Sequence, residues 1–218
     1  YIVTTNMQIK KINVIVDSEF YNTILDGEYI ETEIGKIFFA FDVVYYDNIN
    51  YMYQEKYRLQ DRLNILNTII DKCFGNLIEF NEYSDSLDIS IKKVRKYYEN
   101  EIKKYWQEFK KIMKSYDGIF ITRKRYMIPY GIDCSEIFNY ADIIWKTAIY
   151  KKYLPYNIDG IIYTPLKSPY YIETPRENLD TIPMEYKWKP PAQNSIDFYI
   201  EFDKDENGKE IIFYNDAN

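Results

Sequence analysis

One long amphipathic segment, residues 90–116, constrains the fold more than any other part of the sequence. Its apolar residues recur every three or four positions, which places them along one stripe of an α-helix. The stripe consists of Ile91, Val94, Tyr98, Ile102, Tyr105, Phe109, Ile112 and Tyr116. The remaining positions are rich in lysine. The pattern therefore predicts a long helix that packs on a core along a single face.

Strand-like segments lie on both sides of this helix. Alternation of apolar and polar residues predicts strands at 12–16, 23–31 and 36–46, with a turn at 33–36 that joins the last two as a hairpin. Apolar spacing predicts two further helices, at 52–73 and 135–150. More strands are predicted at 77–80, 119–126, 160–164, 184–189, 195–202 and 210–214. Helices set among antiparallel hairpins indicate the α+β class.

The composition excludes several kinds of site. The chain has 218 residues, of which 46% are hydrophobic and 28% charged, as in a globular protein with a substantial core. It contains no histidine, which excludes Ser-His-Asp and Cys-His catalysis, histidine-ligated metals and a histidine pH switch. Its two cysteines, Cys73 and Cys134, are too few for a disulfide framework or a four-sulfur zinc site. We expect both to be buried, reduced thiols in a reducing compartment.

The charge distribution leaves two interpretations of the long helix. The net charge is −6, so binding to nucleic acid requires a local basic patch. Residues 90–125 hold 12 basic and 4 acidic side chains. They form either a solvated face or an RNA-facing surface, because clustered basic residues give sequence-independent affinity for phosphate. The second interpretation rests on Lys92, Lys96, Lys103, Lys110, Arg123 and Arg125.

Four short segments carry residues suited to nucleotide chemistry. They are Asp26-Gly27-Glu28, Phe38-Phe39-Ala40-Phe41-Asp42, Asp159-Gly160-Ile161-Ile162-Tyr163 and Tyr186-Lys187-Trp188-Lys189-Pro190. On a strand, Lys187 and Lys189 leave the same face, where a phosphate would relieve their mutual repulsion. Phe41 offers a ring on which a base can stack. Taken singly, each segment also fits an ordinary turn, core strand or strand edge.

The order of these segments, over residues 26–198, resembles the mRNA-capping guanylyltransferases. These enzymes belong to the covalent nucleotidyltransferase superfamily, together with ATP-dependent DNA and RNA ligases. Asp159, where ligases usually carry glutamate, and the run Lys-Trp-Lys-Pro-Pro at 187–191 favour the capping branch, in particular that of large DNA viruses. The resemblance implies a nucleotidyltransferase domain at 1–194, with antiparallel sheets and flanking helices, and the beginning of an OB fold at 195–218.

The resemblance also implies a reaction and the residues that serve it. A lysine would attack the α-phosphate of GTP, release pyrophosphate and pass GMP to the 5′-diphosphate end of RNA. By position, Glu28 corresponds to a ribose and metal residue, Phe41 to the guanine-stacking residue and Asp159 to a metal-side carboxylate. The two lysines of the fourth segment correspond to α-phosphate lysines, and Asp197 to a late acidic residue of the phosphate chemistry. The expected cofactor is Mg²⁺ or Mn²⁺.

One family motif has no counterpart here. The nucleophilic lysine of these enzymes lies in a Lys-x-Asp-Gly motif, which does not occur in the sequence. We therefore expect a truncated piece that begins after the nucleophile and is inactive by itself. Two alternatives remain, a ligase fragment and a degenerate domain that binds nucleotide or RNA without catalysis.

The resemblance sets expectations for partners and location as well. The expected partners are GTP and 5′-diphosphate RNA, with no membrane. RNA triphosphatase and cap methyltransferase domains, fused or associated, are expected beside this piece. The expected location is a cytoplasmic viral factory or the virion.

Overall fold

The computed structural model describes residues 1–75, 91–128, 136–170, 185–193, 202 and 204–209, with the side chains of the second helix from Lys93 onwards. The strands are β1 (Ile2–Val3), β2 (Ile9–Lys10), β3 (Ile24–Thr32), β4 (Gly35–Tyr46), β5 (Ile49–Asn50), β6 (Ile119–Arg123), β7 (Ile161–Tyr163) and β8 (Tyr186–Trp188). The helices are α1 (Leu59–Phe74), α2 (Ile91–Lys114) and α3 (Glu136–Ile149). Several predictions lie outside the described residues: Asp197, Cys134, the side chain of Lys92, the strands at 77–80 and 210–214, and all but the last residue of the strand at 195–202.

The central sheet is built around β4, which has neighbours on both edges. β3 pairs with it antiparallel, from Ile24 opposite Tyr45 to Thr32 opposite Gly35, so the predicted hairpin is confirmed. The other edge is shared by β5, which is antiparallel, and by β6, which runs parallel to residues 36–40. The predicted antiparallel pairing therefore holds for β3, β4 and β5, whereas the parallel pair of β4 and β6 was not predicted. The parallel pair arises because the chain between β4 and β6 contains helices, which return it to the starting end of the sheet.

Helices cover both faces of this sheet. Ile37 and Phe39 of β4 pack with buried residues of α2, whereas Ala40 packs with buried leucines of α1. Successive strand residues point to opposite faces, so α1 and α2 lie on opposite sides. Tyr140 and Ile143 of α3 join the cluster on the α2 side. The mixed α and β class is as predicted, in a three-layer arrangement.

The long predicted helix is present as α2, which has 24 residues. The five central positions of the predicted apolar stripe, from 94 to 109, are buried, and Trp106 and Met113 are buried beside them. The prediction is wrong for the last position of the stripe, because Tyr116 lies beyond the end of the helix and is 44% exposed. On the side of α2 away from the core, lysines recur at helical spacing. We call them the lysine stripe: Lys93, Lys96, Lys103, Lys110 and Lys114.

Two other predicted elements differ from the structure. Residues 12–16 form no strand, and Ile15 is 97% exposed, because apolar alternation without a pairing partner does not hold a strand. The helix predicted from residue 52 begins at Leu59. Residues 52–58 are not helical, and one of them, Tyr53, donates its backbone N–H to the carbonyl oxygen of Tyr170 at 2.9 Å.

The chain divides into two compact units, Tyr1–Trp188 and Lys189–Asn218. The domain boundary expected at 194/195 stays a prediction. In the second unit, a turn at 204–209 is closed by Asp205, whose carboxylate accepts the Lys209 N–H at 2.8 Å. The OB-fold assignment of this unit stays a prediction. Among the described helices, none has the length and apolarity that a membrane span requires.

Candidate functional site

Phe41, the predicted base-stacking residue, occupies an irregularity of the central sheet. The register passes from Asp42 opposite Asp26 to Ala40 opposite Gly27, so Phe41 has no partner on β3. It is the extra residue of a β-bulge, a feature that bends a strand and changes the direction of a side chain. The aromatic segment and the Asp-Gly-Glu segment therefore meet at a point where the strand pairing is broken.

Lys124 brings Glu28 and Phe41 into one cluster. Its Nζ lies 3.1 Å from Oε2 of Glu28 and 5.6 Å from the centre of the Phe41 ring. Its backbone N–H donates to the carbonyl oxygen of Ala40 at 2.6 Å, which anchors it just after β6. The side chains of Lys124 and Glu28 are 37% and 57% exposed, so their ion pair contributes little to stability and is open to competition from a ligand.

Lys124 was not assigned to the nucleotide site by the sequence analysis. It lies in the basic run at 123–125, whose other members, Arg123 and Arg125, were assigned to the RNA-facing interpretation. The structure places these two differently. Arg123 pairs with Asp71 at 3.1 Å, and the guanidinium of Arg125 lies 5.1 Å from the centre of the Tyr105 ring.

Tyr156, three residues before the third segment, lies close enough to Glu28 for that charge to affect its pKa. Its ring packs on Phe39 and Trp106, at centroid distances of 5.4 and 5.5 Å. Burial raises the pKa of the Tyr156 hydroxyl, and Tyr105 and the charge of Glu28 add to the rise. The hydroxyl is therefore a protonated donor at neutral pH. Asp159 follows three residues later and is exposed.

Lys187 lies on a separate two-stranded sheet formed by β7 and β8. It is opposite Ile162 and is exposed, whereas the Trp188 ring meets Trp145 of α3 edge-on at 5.1 Å. The chain just before this strand runs close to the bulge. There the charge of Glu185 helps to raise the pKa of Tyr126, after the larger effect of burial, and the Tyr126 hydroxyl donates to the carbonyl oxygen of Phe41 at 3.4 Å.

The structure thus assembles only part of the predicted site. Glu28 and Phe41 are brought together, and the segments that lead to Asp159 and Lys187 pass near them. Lys189 is half-buried and is the first residue of the second unit. Convergence of the carboxylates and lysines on one phosphate stays a prediction. Within the described part of the chain, no group of three or more acidic or cysteine side chains could hold a metal ion.

Comparison with known proteins gives one match. Over its full length the chain is 48% identical, in 219 aligned positions, to part of the probable mRNA-capping enzyme of Acanthamoeba polyphaga mimivirus. The chain is a relative of a viral mRNA-capping protein. The resemblance predicted from the four segments is thereby confirmed, on the capping side rather than the ligase side. The chain spans 19% of that protein's length. No protein-family model matches the chain, and no solved structure does.

Proposed function

We propose that the chain forms the nucleotide-binding part of an mRNA guanylyltransferase. The observation that carries the proposal is the 48% identity, over the whole chain, to the viral probable mRNA-capping enzyme. The cluster of Glu28, Phe41 and Lys124 supports it, because an acid, an aromatic ring and a cation lie together beside a strand bulge. These groups suit the ribose, the base and the phosphates of a nucleotide.

The proposed reaction has two steps. A neutral lysine amine attacks the α-phosphorus of GTP, the bond to the bridging oxygen breaks, pyrophosphate leaves, and the amine loses a proton. An oxygen of the 5′-diphosphate RNA end then attacks the same phosphorus and releases the lysine. The sequence contains no Lys-x-Asp-Gly, so we place this lysine outside the 218 residues. Lys187 and Lys189 act as cations at the α-phosphate, and a charged ammonium is not a nucleophile.

The described residues suit the binding of the base and the sugar. In the structure, the Lys124 ammonium lies over the Phe41 ring, where an incoming base would stack. A stacked base would displace the ammonium and leave it free to meet an anionic ligand. Glu28 would then be released to accept hydrogen bonds from ribose hydroxyls. Because stacking does not distinguish guanine from adenine, selectivity for guanine requires contacts to the base edge.

A divalent cation, Mg²⁺ or Mn²⁺, is part of the proposal. Mg²⁺ is commonly held by one or two carboxylates together with substrate phosphates and water. The exposed carboxylates of Glu28 and Asp159 have the right chemistry for this role, as does Asp197 in sequence. When bound, the ion would supply positive charge to the triphosphate.

RNA is the proposed acceptor, and the lysine stripe is the proposed contact surface for it. Its five lysines are interrupted by the uncharged Asn100 and Gln107, so the stripe contains no acid. Such a surface attracts phosphates without regard to sequence. We place the protein in a viral factory or virion, with triphosphatase and methyltransferase activities beside it.

Mass spectrometry after incubation with GTP and Mg²⁺ tests the proposal. We expect the complete polypeptide that carries these residues to gain the mass of GMP, and the 218 residues alone to gain none. Equal labelling by ATP, or preference for it, would move the assignment to the ligase branch. No adduct with either nucleotide, despite GTP binding, would favour the degenerate non-catalytic alternative, which the missing Lys-x-Asp-Gly motif supports.

A further inference from the structure

Two carboxylates face each other across the bulge that carries Phe41. Asp26 and Asp42 are direct partners in the antiparallel register. Each accepts the N–H of the residue that follows it, Gly27 and Val43 respectively, at 2.8 Å. Like charges directly opposite in a strand pair are destabilising. The pair therefore needs compensation, or the two strands would move apart at the bulge.

Arg62 of α1 supplies that compensation. Its Nε and Nη2 donate to the two oxygens of Asp42 at 2.8 and 2.9 Å, and its side chain is only 3% exposed. Its Nη1 donates to the carbonyl oxygens of Tyr57 and Ser168 at 2.7 and 3.1 Å. Burial raises the pKa of the Asp42 carboxyl and Asp26 adds to the rise, while Arg62 and the Val43 N–H oppose it. The rigid fork of a guanidinium suits this set of acceptors.

Tyr170 completes the network on the side of β3. Its hydroxyl donates to Oδ2 of Asp26 at 2.7 Å, and its ring centre lies 5.6 Å from the guanidinium carbon of Arg62. Burial and the hydrogen bond to Asp26 both raise the pKa of the Tyr170 hydroxyl, so it stays a donor. Arg62 thus contacts, directly or through this ring, the strand before Glu28, the strand of Phe41 and the loop after β7.

We propose that Arg62 is a positioning residue for nucleotide binding, which aims the Phe41 ring by holding Asp42 and Ser168 in place. The inference rests on the proposed function, since it concerns the same base-stacking residue. Arg62 does not reach the nucleotide itself, because its side chain is buried and four of its five N–H groups donate to Asp42, Tyr57 and Ser168. It acts because Asp42 directly follows Phe41, so the position of one sets the direction of the other.

A lysine at this position is the sharpest test. Arg62→Lys keeps the charge, but one ammonium cannot hold both oxygens of Asp42 and two carbonyls at once. In the complete polypeptide we expect KM for GTP in adduct formation to rise about tenfold, within the range of a lost base stack. Arg95→Lys is the matched control. Arg95 lies on α2 and pairs with Asp142 of α3 at 2.8 Å, but its side chain is 36% exposed, and its replacement should leave KM unchanged.

A double-mutant cycle with Phe41→Ala separates positioning from general damage. If Arg62 acts through the ring, Arg62→Lys should add less than twofold to KM in the Phe41→Ala background. Equal effects in both backgrounds, or no effect of Arg62→Lys, would overturn the inference. Tyr170→Phe serves in the same cycle should Arg62→Lys not fold. Absence of any GTP adduct in the unmutated polypeptide, or no effect of Phe41→Ala alone, would instead count against the proposed function.

Discussion

Gly27, between the two acidic residues of the first segment, should tolerate no side chain. A Cβ added there would lie 2.7 Å from the Phe39 carbonyl oxygen and 2.7 Å from Cε1 of Phe38, with Phe38 Cζ closer still. Favourable contacts between carbon atoms occur at about 3.5–4.0 Å. The ring could rotate away, but the carbonyl belongs to the neighbouring strand and cannot move without disturbing the pairing. The requirement for glycine is therefore steric.

The contact distances set the expected size of the effect. Overpacking of this kind costs about 1–3 kcal/mol, so Gly27→Ala should lower the free energy of unfolding by that amount. For a chain of 218 residues this corresponds to a fall in Tm of roughly 3–10 °C. Because Glu28 is the next residue, we also expect weaker GTP binding in the complete polypeptide.

Urea unfolding of Gly27→Ala, Phe38→Leu and the double variant checks the reasoning. Phe38→Leu removes the ring atoms that meet the new Cβ, so the double variant should be more stable than the sum of the single effects by about 1 kcal/mol. Gly75→Ala is the contrasting control, since nothing lies within 4 Å of its added Cβ and only its φ of +80° makes the change costly. A loss below about 0.5 kcal/mol for Gly27→Ala would refute the argument, because it would mean that the strands separate freely.

Three further outcomes are expected. Asp42→Asn leaves Arg62 charged and buried, so it should lower the free energy of unfolding in urea by about 3 kcal/mol. Asp142→Asn, in a half-exposed ion pair, should lower it by less than about 1 kcal/mol. Equal losses for the two variants would contradict this reasoning. The pKa of Tyr156 is raised in the folded state, so the protein binds the proton more tightly than the unfolded chain does and stability falls as the pH rises above about 10. Tyr156→Phe should make that fall shallower in unfolding measurements between pH 9 and 11, and an unchanged slope would count against it. Replacing four members of the lysine stripe, other than Lys110, by glutamate should weaken RNA binding and flatten its salt dependence without loss of GMP labelling, whereas an unchanged salt slope would return the stripe to a solvated surface.

Local periodicity correctly predicted the elements that bury a single face against the core. The α2 stripe and the β3–β4 hairpin follow from spacings of three to four and of two residues, because each has one well-defined core face. The predicted segment at 12–16 had the same alternation but no partner strand, and so it is not a strand. The parallel alignment of β6 with β4 depends on how two helices return the chain, which the pattern of β6 itself does not contain.

The candidate site divides in the same way. Glu28 and Phe41 could be found because they belong to short ordered segments. Lys124 lies just beyond β6 in a run of three basic residues, and the sequence around it does not distinguish it from its neighbours. Arg62 could not be found, because it lies in a helix segment where a charged residue normally indicates a solvent-facing position. Its burial becomes visible only when the carboxylate that it compensates, Asp42, is placed beside it.

The distances along the chain explain why the bulge needs such a network. The contacts that hold it join residues 20 positions apart for Arg62 and Asp42, 106 for Arg62 and Ser168, and 144 for Tyr170 and Asp26. A bulge leaves its extra residue without ladder hydrogen bonds, so neighbouring side chains must fix the strand there. Contacts this remote form only once the three layers have packed. The direction of Phe41 is therefore a property of the completed fold, and substitutions at Arg62 should alter nucleotide binding while every motif residue stays unchanged.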